Sequence, residues 1–143
     1  MLFRSVGGVC VGGVCVGGVC VGGVCVGYVW FGHNRRTHIK APRGSGGVGL
    51  LVKSHLFGEY EIETVDKTVE GILGICFTHR YSDYSFVVYS CYLPPEMSPW
   101  GRDASSFFAH LSSQIYLFSN LDAIYVVGDF NSRIGFSFLS LIF

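Results

Sequence analysis

Hydrophobic and other residues alternate along short stretches in the middle of the chain, and this spacing predicts β-strands. Val48, Leu50 and Val52 alternate with glycine, leucine and lysine, which is the two-residue period of a strand. Residues 59–66 are acidic and partly alternating, which predicts an exposed strand. A further apolar run, residues 69–77, contains two glycines.

The segment from Ser85 to Leu93 gives the strongest strand prediction. It contains FVVYSCYL, which places β-branched and aromatic residues on both faces. Such a composition favours burial on both sides of a sheet. Pro94 and Pro95 follow and end the strand, because proline cannot donate a ladder hydrogen bond.

The period changes between Asp103 and Asn120, where apolar residues recur at helical spacing and Ser and Gln fill the other face. Asp103 suits the N-cap of this helix and Asn120 its C-cap. The apolar positions are Phe107 or Phe108, Leu111, Ile115 and Phe118.

A short apolar segment, Ala123–Val127, follows the helix and predicts a buried strand. A helix between two strands implies a right-handed crossover within one sheet. The pattern therefore predicts an α/β protein of the α+β sandwich type. We expect an incomplete two-sheet sandwich with a flanking helix over residues 28–135, a low-complexity Gly/Val/Cys repeat over 1–27 and an apolar tail over 136–143.

The N-terminal repeat reads VGGVC four times over residues 6–25. Because the cysteines are five residues apart, they would not lie on one face of a strand or of a helix, and the glycines weaken both elements. Two interpretations stay open. Residues 5–32 carry no charge and are long enough to span a membrane, but valine and glycine supply nearly all of the length. Low-complexity sequence, such as a tandem DNA repeat would encode, is the favoured interpretation.

The charge balance gives little indication of a partner. Lys+Arg and Asp+Glu each number 10, so no overall basic field points to nucleic acid. One basic cluster could contact DNA phosphates, although a solvated loop would have the same composition. Its residues are Arg35, Arg36, His38, Lys40 and Arg43.

Two isolated cysteines and one glycine-rich pattern limit the kinds of functional site that the sequence allows. Cys76 and Cys91 lie outside the repeat, and we expect reduced, buried thiols. Residues 44–49 fit G-x-G-x-x-G, but a dinucleotide fold needs a helix where a strand-like run follows. No small-molecule cofactor is therefore expected.

The strongest chemical signal is Gly128-Asp129-Phe130-Asn131, directly after the strand predicted at 123–127. Polar groups at the carboxyl end of such a strand lie where α/β sheets bind ligands. In extended geometry Asp129 and Asn131 share a side, and a carboxylate with an amide can orient a water and hold a phosphate oxygen. An ordinary strand-to-loop turn uses the same residue types.

Four motifs occur in order along the chain: GSGGVGLLVK (44–53), VEGILGI (69–75), YLPPE (92–96) and GDFNSRIG (128–135). Together they resemble the endonuclease/exonuclease/phosphatase family, in particular the endonuclease part of non-LTR (LINE-type) retrotransposon polyproteins, in that family's order and approximate spacing. GDFN is the most specific of them, and the resemblance covers residues 28–135.

The resemblance implies a two-sheet sandwich flanked by helices that hydrolyses phosphodiester bonds in DNA with Mg²⁺ or Mn²⁺. By its match to GDFN, Asp129 would orient or deprotonate the attacking water, and Asn131 would contact the scissile phosphate. Tyr92 matches the tyrosine of the family's Tyr-x-Pro motif and would contact the same phosphate. The alternative for Tyr92 is an aromatic packed at a strand end.

The sequence departs from the family pattern at both ends. The family's first strands carry an Asn and the metal-binding Glu, and here the repeat stands in their place. The family's closing Asp and Ser-Asp-His have no match either. The resemblance thus implies an inactive endonuclease fragment with poor metal binding, nuclear or cytoplasmic if retrotransposon-derived. The alternative function is a membrane-inserted or self-associating Val/Gly repeat protein with residues 28–135 as a non-catalytic passenger.

Overall fold

The computed structural model describes residues 27–35, 46–95 and 103–131, which form two β-sheets and two helices. The VGGVC repeat, most of the basic cluster and the tail 136–143 lie outside the described residues. In chain order the elements are β1 (Tyr28–Asn34), β2 (Gly47–Lys53), α1 (Leu56–Glu59), β3 (Tyr60–Asp66), β4 (Ile72–His79), β5 (Ser85–Tyr92), α2 (Ala104–Leu117) and β6 (Ala123–Asp129).

The smaller sheet is the antiparallel pair β1–β2, which runs from Tyr28 opposite Lys53 to Asn34 opposite Gly47. The strand β2 was predicted, whereas β1 and the four-residue helix α1 were not. The first residues of β1 are apolar and uncharged like the repeat before them, so the sequence shows no boundary at which a strand begins. The segment 28–32, the end of that uncharged stretch, belongs to this strand.

The larger sheet has the order β3-β4-β5-β6. The first three strands are antiparallel, and β6 lies parallel to β5. Since α2 lies between β5 and β6 in the chain, the predicted return of the chain to the same sheet through a helix is confirmed. The strand β3 is an edge strand with a largely exposed face, as its acidic alternating sequence predicts.

The two faces of the larger sheet pack on different partners. On one face, Val87, Tyr89 and Cys91 of β5 form a core with Phe107 and Leu111 of α2. On the other face, residues of β2 and β4 form a second core between the two sheets, against which the remaining side chains of β5 pack. The fold is therefore an α+β sandwich of two sheets with a helix on the outer face, and β5 is covered on both sides as expected. The second core contains Val48, Val52, Leu73, Ile75 and Phe77.

The sequence predicted the N-cap of α2 correctly but not its C-cap. Asp103 is the N-cap, and its carboxylate accepts hydrogen bonds from the backbone N–H groups of Ser105 and Ser106. The predicted C-cap, Asn120, is wrong. The C-cap is Phe118, whose N–H donates to the carbonyls of Gln114 and Tyr116 and closes the last turn two residues earlier.

The prediction that 123–127 is a buried strand is wrong as to burial. Among the described strands, β6 has a neighbour on one side only and forms the edge of the larger sheet. Tyr125 and Val127 are 49% and 47% exposed. An apolar sequence fixes β6 as a strand but cannot show whether a second neighbour covers it.

The two isolated cysteines are buried free thiols, as predicted. Burial in the core raises the pKa of the Cys91 thiol to about 12. Burial also raises the pKa of Cys76. Both groups are therefore protonated and poor nucleophiles at neutral pH.

In the part of the chain that the structure describes, no helix has both the length and the hydropathy of a membrane span.

Candidate functional site

The predicted site residues Tyr92 and Asp129 lie side by side at the carboxyl ends of β5 and β6. They are register partners in the parallel pair, so their side chains project from the same face of the sheet. Tyr92 packs against the core between the two sheets, which identifies that face. The site therefore lies at one end of the sandwich, on the side of the smaller sheet.

Two glycines allow other backbone segments to approach the end of β5 very closely. A Cβ on Gly71, which has φ +85°, would lie 2.3 Å from the carbonyl oxygen of Tyr92. A Cβ on Gly128, at φ +154°, would lie 1.9 Å from the carbonyl oxygen of Cys91. The N–H of Tyr92 donates to the Gly71 carbonyl at 2.7 Å. Glycine is thus required on both sides of β5, and the contacts fix the backbone of Tyr92.

The segment after β6 is a turn, in contrast to the extended geometry assumed from the sequence. Asn131 has φ 45°, and its N–H donates to Oδ1 of Asp129 at 2.9 Å. The Asn131 side chain is held as well, because Nδ2 donates to the Leu93 carbonyl at 2.9 Å. The second N–H of that amide is left to donate elsewhere. Oδ2 of Asp129 makes no hydrogen bond to any residue that the structure describes.

A positive charge reaches the site from the smaller sheet. The guanidinium carbon of Arg35 lies 5.0 Å from the centre of the Tyr92 ring, within the range of a cation–π contact. The N–H of Arg35 donates to the Gly46 carbonyl at 3.3 Å, which continues the ladder beyond β1. Arg35 is the one member of the predicted basic cluster within the described residues, since Arg36, Lys40 and Arg43 fall outside them.

His33 lies close to the same end of the sandwich and was not predicted. Its Nδ1 is 2.8 Å from the carbonyl oxygen of Ile72, the first residue of β4. A usable signal was the alternation of Phe31, His33 and Arg35, which places all three on one face of a strand.

A second polar cluster lies on the helix-covered face and was also missed. Nε2 of His110 donates to Oδ2 of the buried Asp66 at 2.8 Å. The backbone N–H and the hydroxyl of Thr68 donate to Oδ1 at 2.9 and 2.8 Å. Burial alone would raise the pKa of Asp66, but the hydrogen bonds from Thr68 and His110 outweigh it, and the pKa is lowered. This cluster attaches α2 to the end of β3.

Within the three described ranges, no group of three His, Cys, Asp or Glu side chains comes together to hold an ion. The Mg²⁺ or Mn²⁺ that the family resemblance implies therefore stays a prediction. Comparisons with protein-family models, with curated proteins and with solved structures return no match to this chain. The resemblance accordingly rests on the sequence motifs.

Proposed function

We propose that the chain is a fragment of a metal-dependent endonuclease that acts on DNA, and that it binds backbone phosphates without cutting them at a useful rate. The observation that carries this proposal is the meeting of three groups at one end of the sandwich. Tyr92 and Asp129 are neighbours on parallel strands, and the Arg35 guanidinium lies over the Tyr92 ring from the other sheet.

The chemistry of these groups suits a phosphodiester. The guanidinium of Arg35 and the hydroxyl of Tyr92 are donors for phosphate oxygens. The second N–H of the Asn131 amide is a third donor at the adjacent turn. A phosphate held by these donors would lie beside the carboxylate of Asp129.

In the proposed ancestral reaction, Asp129 accepts the proton of a water whose oxygen attacks the phosphorus. The bond from phosphorus to the leaving oxygen then breaks. A bound Mg²⁺ or Mn²⁺ would stabilise the negative charge that develops on the phosphate and the leaving oxygen. The family's metal-binding Glu and closing Asp and His have no match in this sequence. Binding without efficient hydrolysis is therefore the activity we propose.

The test combines binding and cleavage with the purified full chain. Binding of a short fluorescein-labelled DNA duplex is followed by fluorescence anisotropy, and cutting is followed with supercoiled plasmid in Mg²⁺. Arg35→Ala is compared with Lys53→Ala, which also removes one positive charge but lies at the opposite end of the β1–β2 ribbon. We expect binding by the wild type and by Lys53→Ala, weaker binding by Arg35→Ala, and no cutting.

Two results would count against the proposal. Equal binding by Arg35→Ala and Lys53→Ala would show that the DNA does not bind at this end of the sandwich. Plasmid cutting by the wild type that Asp129→Ala abolishes would show that the chain is an active nuclease, contrary to the proposed loss of hydrolysis.

A further inference from the structure

The inward-facing positions of β1 change from apolar to polar toward the site. Phe31, His33 and Arg35 occupy every second position and so project from one face. Phe31 packs against the core between the sheets. His33 contacts the carbonyl of Ile72, and Arg35 lies over Tyr92. Among these inward-facing positions, His33 is thus the last one before Arg35 that contacts the larger sheet.

We infer that His33 is a positioning residue that holds Arg35 over Tyr92 by fixing the end of β1 to the larger sheet. The inference rests on the proposed function for its meaning, since Arg35 and Tyr92 are the phosphate donors named there. A carbonyl oxygen can only accept, so Nδ1 of His33 carries the proton and donates to Ile72.

The bond acts on the same backbone segment that fixes Tyr92. Ile72 follows Gly71, whose carbonyl accepts the N–H of Tyr92 at 2.7 Å. The Gly71 carbonyl is therefore hydrogen-bonded to β5, and the neighbouring Ile72 carbonyl is hydrogen-bonded to His33 of β1. Arg35 and Tyr92 are held relative to each other through Gly71 and Ile72.

A fixed backbone matters for this contact because a cation–π contact near the surface is weak, and an arginine loses much rotamer freedom when it is held in one place. Another side-chain contact between the sheets, from the hydroxyl of Ser90 to the Gly49 carbonyl, is longer at 3.4 Å. The 2.8 Å bond of His33 is the better anchor, and it lies two residues from the cation.

Two variants of His33 separate the hydrogen bond from the size of the ring. In His33→Asn, the amide nitrogen is as many bonds from the backbone as Nδ1 and can donate to the same carbonyl. His33→Leu keeps apolar bulk but removes the donor. Tyr92→Leu serves as the reference for an Arg35 that has no ring beneath it.

The primary measurement is the NMR chemical shift of the Arg35 side-chain Nε–H group in the full chain, because the Tyr92 ring current shifts a proton held over its face. We expect the wild type and His33→Asn to share one shift, and His33→Leu to move toward the position seen in Tyr92→Leu. We also expect His33→Leu to weaken binding of the labelled DNA duplex by about three- to tenfold, the effect of losing one ordinary hydrogen bond. In an Arg35→Ala background, His33→Leu should cause no further loss.

The outcomes separate the inference from the function on which it rests. An Arg35 shift that His33→Leu leaves unchanged overturns the inference. If His33→Leu does not fold, His33→Asn decides, and an Arg35 shift at the Tyr92→Leu position overturns the inference. If the shifts behave as expected but the wild type binds no duplex, His33 is confirmed as a positioning residue and the proposed function fails.

Discussion

Removing the Asp66 carboxylate should destabilise the fold, because this group joins α2 to the larger sheet. Its side chain is 2% exposed and accepts a hydrogen bond from His110, whose side chain is 23% exposed. A hydrogen bond to a charged group contributes about 1.5–3 kcal/mol to stability. Asp66→Ala removes the buried charge itself, and the exposed donors of Thr68 regain water. We therefore expect a loss of about 2–3 kcal/mol in the free energy of unfolding.

The assay is urea unfolding followed by far-UV circular dichroism near neutral pH. Asp83→Ala is the matched control, because Asp83 is an exposed turn residue and its removal should change stability by less than about 0.5 kcal/mol. If Asp66→Ala is as stable as Asp83→Ala, the cluster does not hold the helix and the reasoning is refuted.

The same cluster has a predictable dependence on pH. The folded pKa of Asp66 is lower than its ordinary value, since hydrogen bonds from Thr68 and His110 outweigh the effect of burial. Its stabilising contribution is therefore fully present above the unfolded pKa, which is about 3.9. The contribution is lost as the pH falls through the folded pKa. The difference in stability between the wild type and Asp66→Ala should shrink over that acid range, whereas an undiminished difference would contradict the lowered pKa.

Three further outcomes follow from the packing. Gly128→Ala should lower the free energy of unfolding by about 2 kcal/mol or more in urea, because its Cβ would meet the Cys91 carbonyl at 1.9 Å and its φ is positive; an unchanged midpoint would exclude this close approach. Cys76 and Cys91 are buried, with raised pKa values, so peptide mapping after iodoacetamide treatment should find them alkylated only in denaturant. The strand β6 is an edge strand among the described residues and exposes apolar side chains, so we expect the full chain to self-associate in sedimentation velocity. Val127→Lys adds a charge to this strand and should reduce that association with little loss of stability; equal association of the variant and the wild type would show that another surface is responsible.

Local sequence pattern predicts those parts of the fold that depend on local chemistry. The alternation in β2, the two-sided apolar face of β5 and the Asp103 N-cap are set by residues within a few positions of one another. Gly128 was predicted only as part of the GDFN motif, and the structure shows why a glycine is needed there, which is the close approach of β6 to Cys91.

Contacts between distant residues could not be read from the sequence. The hydrogen bonds of His33 with Ile72 and of His110 with Asp66 join residues 39 and 44 positions apart. Each depends on how elements pack, and no local period encodes that. The exposure of β6 was missed for the same reason, because burial of an apolar strand depends on a neighbour. Arg35 was predicted as part of a basic cluster, but its position over Tyr92 depends on the pairing of the two sheets.

The most direct test of the proposed phosphate site is the salt dependence of DNA-duplex binding, measured by fluorescence anisotropy for the wild type, Arg35→Ala and Lys53→Ala. If Arg35 contacts a phosphate, Arg35→Ala should reduce the slope of log K against log salt concentration by about one. Lys53→Ala, at the far end of the ribbon, should leave the slope unchanged. Equal slopes for the wild type and Arg35→Ala would contradict the account, since no phosphate would then lie against Arg35 and Tyr92.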